Sequence, residues 1–236
     1  IGLMKTNVSS LGIGTTDSIS KNVYITDRVI TIADTTKTDV KINGEDIFAT
    51  DLDISTTPVR GADDDQSGAL EGDAGDNGSL VAIALAEKIN TNTGKHGVTA
   101  EAFNVVTAKS NVYTPGAVTI NNVAVQSRAT LTEFIDAVNN EVHEIKASIN
   151  NDGYLQFTND GATIEFGSLF MGIAADAYGG FIKLTNNTDS IIEIEAGSLN
   201  NGYSTDTGVQ ADLLAFGLNT VKKNATGGVT YTGNAA

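Results

Sequence analysis

One pattern of elements occurs twice in the middle of this chain. Segment 40–44, Val-Lys-Ile-Asn-Gly, aligns with segment 118–122, Val-Thr-Ile-Asn-Asn. In both places a second short strand follows, then a linker, an amphipathic helix with Ile-Asn or Val-Asn near its end, and another strand. Each helix has one apolar face, which it must bury against a small sheet. The repeat predicts two β–β–α–β units, and we interpret it as a duplication rather than as two similar solutions to one packing problem.

Two helices interrupt a chain that is otherwise dominated by strand patterns. Apolar residues recur at three- and four-residue spacing over 79–91, and more regularly over 130–142. The second helix opens with Thr130 and Glu133, a capping box in which the two side chains satisfy orphan backbone donors. A short helical turn is expected over 211–216.

The remaining segments alternate with period two between short turns, which is the signal of β-strands. Asn43-Gly44 suits a tight hairpin turn, because both residues accept positive φ. Segments 144–149, 154–158 and 163–166 are predicted to form a three-stranded meander. Segments 181–184 and 191–194 are predicted to form a hairpin. The predicted fold class is therefore α+β, with mainly antiparallel hairpins and meanders and two amphipathic helices packed on small sheets.

The 236 residues divide into three predicted parts. The first unit occupies 39–110 and carries an acidic, Gly-rich loop at 60–78, which is too polar to bury and should be exposed. The second unit occupies 111–167. Segments 1–38 and 168–236 form a flanking β-rich subdomain, and they should pair with each other because the units between them bring the chain back to one place.

Charge and composition exclude several classes of function. The chain has 14 Lys+Arg against 29 Asp+Glu, a net charge of −15, and no Cys. The absence of Cys excludes a disulfide scaffold, a thiol nucleophile and Cys-ligated metals. The negative charge argues against binding nucleic acid or an anionic membrane through a basic face. No apolar run is long enough to span a bilayer, and the start at Ile1 without a leader is that expected of an excised fragment.

The acidic loop offers the first candidate site. Asp63, Asp65 and Ser67 place oxygen atoms at alternate positions, as at the start of a calcium-binding loop. The twelfth position, where such a loop needs a bidentate Glu, is Ala74. The pattern therefore favours a solvated loop over a calcium site.

The two histidines, His96 and His143, provide no catalytic pattern. His143-Glu144 begins like a zinc-protease motif, but the fifth position is Ala147, so we expect His143 to be a surface residue at a helix end. The chain has no nucleophile elbow and no phosphate-binding Gly-Lys-Ser/Thr, and Gly12-x-Gly14 reads as a turn. We therefore predict no catalytic, cofactor-binding or metal-ligating residues, no cofactor and no enzymatic activity.

Four triplets fit the acceptor pattern for Asn glycosylation, beginning at Asn7, Asn77, Asn186 and Asn224. In a chain with 22 Asn and 29 Thr, four chance matches are unsurprising. They are weak evidence for modification.

The second unit resembles the "Ile-Asn" motif of bacterial flagellins and hook-associated proteins. Its strand 118–125, its helix 131–139 and its strand–turn–strand segment 147–159 follow that motif. The first unit, at 40–44 and 84–100, looks even closer to the variable middle of flagellins. Together the two units cover about half of the chain.

The resemblance implies the central, outer part of a flagellar filament subunit, a secreted, extracellular structural protein that contributes to motility, surface properties and antigenicity. The family polymerises through long terminal helices, which neither end of this sequence has. The chain alone is thus expected to be monomeric, while the intact protein would be a homopolymer. Host-surface or antibody contacts are expected, but neither nucleic acid nor membrane insertion. Some flagellins carry a zinc protease in this region, and the failed motif at His143 counts against one here.

Two alternatives stay open. A hook-associated protein, either the filament cap or the hook–filament junction, uses the same motif. An adhesin-type binding module is suggested by the acidic loop at 60–78.

Overall fold

The computed structural model describes residues 22–29, 35–52, 81–188, 190–197, 213, 216–223 and 229–232. Within these residues the fold is α+β, and its strands pair antiparallel. The helices are α1 (Val81–Asn90), α2 (Thr93–His96) and α3 (Leu131–Glu141). The strands are β1 (Val23–Ile25), β2 (Val40–Ile42), β3 (Glu45–Asp46), β4 (Val98–Thr107), β5 (Val118–Ile120), β6 (Val123–Val125), β7 (Lys146–Ile149), β8 (Leu155–Asn159), β9 (Ile164–Phe166), β10 (Asp176–Tyr178), β11 (Phe181–Asn186), β12 (Ile194–Ala196), β13 (Thr220–Lys223) and β14 (Val229–Thr232).

The strands form three sheets, with orders β1-β11-β4-β8-β7, β10-β9-β5-β6 and β14-β13-β12-β2-β3. The N-terminal and C-terminal flanks pair with each other, as expected, because β1 lies against β11. The Asn219 N–H also donates to the Tyr24 hydroxyl at 2.9 Å. The predicted boundaries between the three parts of the chain stay a prediction.

Both predicted local pairings need correction. β7 and β8 form a hairpin, but the third strand of the predicted meander, β9, instead pairs with β5 and β10. Similarly, β11 lies between β1 and β4, while β12 lies between β13 and β2, so 181–184 and 191–194 form no hairpin. Period-two alternation identifies a strand but not its partner, and here the partners lie far away in the chain.

The buried apolar residues form two separate cores. The first core packs the α1 residues Leu85 and Ile89 onto β2, β4, β11 and β12. The second packs the α3 residues Phe134 and Val138 onto β5, β7, β8 and β9. β4 contributes to both, because Val98 and Ala100 lie in the first core and its Val106 lies in the second.

The predicted helix start at Thr130 is confirmed. The Thr130 hydroxyl oxygen accepts from the Glu133 N–H at 3.2 Å, and the Glu133 carboxylate accepts from the Thr130 N–H at 3.1 Å. The tight turn at Asn43-Gly44 is also confirmed, with φ values of 53° and 80°. Of the turn predicted over 211–216, only positions 213 and 216 lie within the described residues.

Candidate functional site

Asparagine side chains at the two hairpin turns join each hairpin to a distant strand. Asn43 and Asn121 both have positive φ, 53° and 45°. The Asn43 Oδ1 accepts from the Glu193 N–H at 2.9 Å, and the Asn43 N–H donates to the Glu193 carbonyl at 2.8 Å. The Asn121 Oδ1 and N–H make the same two bonds with Glu165, at 2.7 and 3.1 Å. The asparagine of each Ile-Asn pair therefore fastens its hairpin to a distant strand through hydrogen bonds.

A second pair of asparagines fastens each long helix to the strand that follows it. The Asn90 side chain donates to the Ala100 carbonyl at 2.8 Å and accepts from the Ala100 N–H at 2.7 Å. The Asn139 side chain does the same with Ala147, at 3.1 and 2.7 Å. Since a carboxamide holds an N–H donor and a carbonyl acceptor side by side in one plane, it can replace a missing backbone partner at these points.

We expect Asn139→Ala to lower the free energy of unfolding by about 1–2 kcal/mol, because two hydrogen bonds to the buried Ala147 backbone disappear. Asn140→Ala is the matched control. That exposed neighbour bonds only within its own helix, to the Asp136 carbonyl, so its loss should cost under about 0.5 kcal/mol. Urea unfolding of both variants measures the difference. Equal costs for the two would show that the Asn139 contacts carry no stability.

His96 is buried, with only 2% of its surface exposed. The Val98 N–H donates to its Nδ1 at 3.1 Å, so Nδ1 carries no proton. The proton therefore resides on Nε2, which lies 3.2 Å from the Ile89 carbonyl and donates to it. Burial lowers the pKa of His96, although the Ile89 and Ile47 backbone and the charge of Glu45 oppose this effect. Both ring nitrogens are used, so His96 is a structural residue rather than a catalytic base.

The lowered pKa predicts a loss of stability in mild acid. Above pH about 6.5 His96 is neutral whether the chain is folded or unfolded, so stability is unaffected. Below that pH the unfolded chain binds the proton first, and the free energy of unfolding falls by up to about 1.4 kcal/mol per pH unit. Unfolding measured between pH 6.5 and 5.5 should show this slope. His96→Gln should remove it, whereas His143→Gln, at an exposed position, should leave it unchanged.

Arg28 lies where the two cores meet. Its guanidinium donates to the Asn104 Oδ1 at 2.9 Å, the Val105 carbonyl at 2.6 Å and the Gly179 carbonyl at 2.5 Å. It also lies 4.5 Å from the centre of the Phe181 ring, a cation–π contact. Burial lowers the pKa of Arg28, with a smaller opposing effect from Tyr178. Arg28 therefore connects the N-terminal flank to the junction between the cores.

Asn104 completes this junction from within β4 and has only 1% of its surface exposed. Its Nδ2 donates to the Ala162 and Tyr178 carbonyls, both at 2.7 Å, while its Oδ1 accepts from Arg28. Every polar atom of this side chain is thus bonded within the junction, which leaves none for a ligand.

An open groove of about 800 Å³ lies beside β4 and β8. Five of its thirteen lining residues carry amide side chains, and the charged residues among those that line it are Lys109 and Asp152. Its lining residues are Phe103, Asn104, Val105, Thr107, Ala108, Lys109, Asn150, Asn151, Asp152, Tyr154, Gln156, Thr158 and Asn159. These groups can hydrogen-bond a neutral polar molecule, but they include no nucleophile paired with a base.

The sequence candidates do not converge on a site. The residues of the calcium-like pattern at 63–74 and Gly12 and Gly14 lie outside the described residues. His143 is exposed between α3 and β7, which confirms its prediction as a surface residue. Of the glycosylation triplets, Asn186 is described, and it is buried with its Nδ2 donating to the Ser190 carbonyl at 3.2 Å. That side chain is not available for modification in the folded chain.

Two general findings hold for the described part of the chain. It contains no group of three or more His, Asp or Glu side chains that could together hold a metal ion. No helix there combines the length and apolar character needed to cross a membrane.

Sequence reasoning missed the roles of Arg28 and His96. The local sequence signal near His96 is the next residue, Gly97, because a glycine commonly ends a helix, and here it has φ of 73° and ends α2. Arg28 carries none, since its partners are 76 to 151 residues away.

Comparison with protein-family models and with curated protein sequences finds no match for this chain.

Proposed function

We propose that this chain is the outer, surface-exposed part of a bacterial flagellar filament subunit, and that its role is structural. The observation that carries the proposal is the use made of the Ile-Asn residues. In both units, the asparagines on which the resemblance to flagellins rests bind backbone groups and hold the fold together. A motif whose asparagines stabilise the fold is typical of a structural protein rather than of a catalytic centre.

Two further features support a place on a crowded external filament. A net charge of −15 makes neighbouring copies repel each other, which keeps the surface soluble. In addition, the N-terminal and C-terminal flanks lie side by side, since the Asp27 N–H donates to the Gly217 carbonyl at 2.8 Å. Such an arrangement suits a region whose two ends both return to a helical core.

Immunogold electron microscopy of intact cells of the parent strain tests the proposal. Antibodies raised against this chain should label the flagellar filament along its whole length, and absorption with the purified chain should abolish the labelling. Labelling confined to the filament tip or to the hook junction would instead identify a hook-associated protein. Labelling of the cell envelope without the filament would overturn the flagellar assignment.

An adhesin-type binding module is the second candidate, and the groove beside β4 and β8 favours it. Among its lining residues, Asn151, Gln156 and Tyr154 offer the kind of donors and acceptors that bind neutral sugars. If the groove serves attachment, Gln156→Ala combined with Tyr154→Ala should abolish binding of the purified chain to a glycan array. If the unmodified chain binds no glycan on the array, this candidate function is ruled out.

A further inference from the structure

We propose that residues 103–181, which run from the middle of β4 to the first residue of β11, contain a second copy of the fold built by the residues on either side of them. This copy is inserted at a hairpin turn of the first copy, and the first copy folds without the insert. The first module comprises β2, β3, α1, α2, the N-terminal half of β4, β11 and β12. The second module comprises β5, β6, α3, β7, β8 and β9. The inference does not depend on the proposed function.

The two modules have the same strand connections. In the first, the hairpin β2–β3 is extended by β12, and in the second the hairpin β5–β6 is extended by β9. The strand after the helix then pairs with the next strand of its module, β4 with β11 and β7 with β8. The first module thus has the chain order β–β–α–β–β–β of the second, but with a break between its fourth and fifth elements.

The registers of the two modules also agree. Ala100, which is bound by Asn90, lies opposite Leu184, and Ala147, which is bound by Asn139, lies opposite Phe157. Leu184 and Phe157 are both fully buried.

The agreement continues past these strands. Two residues after Leu184, the Asn186 Oδ1 accepts from the Thr188 N–H at 3.1 Å, and two residues after Phe157 the Asn159 Oδ1 accepts from the Gly161 N–H at 3.0 Å. The segment from Asn186 to Glu193 is one residue longer than its counterpart from Asn159 to Glu165. Despite this difference, Glu193 and Glu165 reach the same position beside the turn asparagines.

Identical residues occupy these hydrogen-bonding positions and several equivalent strand positions around them. A common packing problem can give two sheets the same topology, but it does not require the same side chain to bind the same backbone group at equivalent positions. The identical pairs are Val40 and Val118, Ile42 and Ile120, Asn43 and Asn121, Asn90 and Asn139, Ala100 and Ala147, Thr185 and Thr158, Asn186 and Asn159, and Glu193 and Glu165. We therefore read the likeness as duplication followed by insertion.

The point of insertion follows from the register. In the second module Ile149 lies opposite Leu155, and the turn 150–154 joins them. The equivalent facing residues of the first module are Ala102 and Ile182. Where the second module has a five-residue turn, the first therefore has residues 103–181.

The two cores separate at the same boundary. Among the described residues, each member of the second core lies within 103–181, and no member of the first core does. Excising 103–181 removes the junction contacts of Arg28 but no buried residue of the first core. The first module would keep its helix, its core and both of its asparagine fasteners.

The experiment replaces residues 103–181 by the turn sequence of 150–154, which is closed by its own hydrogen bonds, such as the Gly153 N–H to the Asn150 carbonyl at 3.0 Å. We expect the shortened chain to unfold in one cooperative thermal transition. The matched control places the same turn instead of residues 88–166. That deletion is equally long but cuts through both cores, and it should leave no cooperative transition.

Native-state hydrogen exchange on the intact chain provides a second measurement, in case loss of the Arg28 contacts prevents the shortened chain from folding. The amides of β7, β8 and β9 should open in a separate step from those of β2, β11 and β12. A cooperative transition in the shortened chain, or separate openings in the intact one, supports the proposal. An unfolded shortened chain together with a single opening of both sets overturns it.

Discussion

Replacing Arg28 by alanine should lower the free energy of unfolding by about 2–4 kcal/mol. The change removes three hydrogen bonds from a charged donor and leaves the Asn104 Oδ1 without its partner in a buried position. The contact of the guanidinium with the Phe181 ring is lost as well. Chemical denaturation of the variant and of the unmodified chain measures the cost.

Two variants identify the cause of that loss. Arg28→Lys keeps the charge but cannot make three hydrogen bonds in one plane, so it should recover less than half of the lost stability. Arg128→Ala removes an arginine of the second unit whose ion pair with Glu141 is partly exposed, and it should cost no more than about 1 kcal/mol. An Arg28→Ala cost no larger than that of Arg128→Ala would refute the junction role of Arg28.

Phe134→Ala should have a larger effect, about 3–5 kcal/mol. The Phe134 side chain is fully buried on the apolar face of α3, and its ring stacks on Phe170 with centroids 4.6 Å apart. Tyr113 lies on another side, with ring centroids 5.9 Å apart. Truncation removes this apolar area from the second core and leaves a cavity that the surrounding sheet cannot fully close.

Hydrogen exchange shows where in the fold the Phe134→Ala variant loses stability, as well as how much it loses. Amides of α3, β7 and β8 should lose protection in Phe134→Ala, because they surround the cavity. Phe134→Leu, which keeps most of the volume, should cost about 1 kcal/mol, and Leu169→Ala, at a side chain that is 73% exposed, should cost almost nothing. A cost for Phe134→Ala close to that of Leu169→Ala would contradict the core assignment.

Local features of this fold could be predicted from the sequence because local interactions determine them. The capping box at Thr130 depends on residues three apart, and the turn at Asn43-Gly44 depends on two residues that tolerate positive φ. The helix positions followed from the spacing of apolar residues, and α1 and α3 lie within the predicted ranges. The α+β class followed from these elements together.

The pairing of distant strands could not be predicted in the same way. β9 and β12 were each expected to pair with the preceding strand, but each extends the first hairpin of its own module through Asn121 or Asn43. The two halves of the first module are separated in sequence by the whole of the second, so alternation alone cannot show that they belong together. The burial of His96 and the contacts of Arg28 depend on that same long-range arrangement.

β4 and Arg28 together join the two cores. The strand runs without interruption from Ala100 in the first core to Val106 in the second, a distance of about 20 Å at roughly 3.3 Å per residue. Its hydrogen bonds pass from β11 to β8 at the step between Phe103 and Asn104. Neither ladder crosses this step, so the strand-pairing bonds do not oppose bending there. The hydrogen bonds of Arg28 to Asn104, Val105 and Gly179 oppose it instead. A force applied to the second core therefore reaches the first core through a peptide step that no strand ladder spans, and Arg28 helps to hold that step in place.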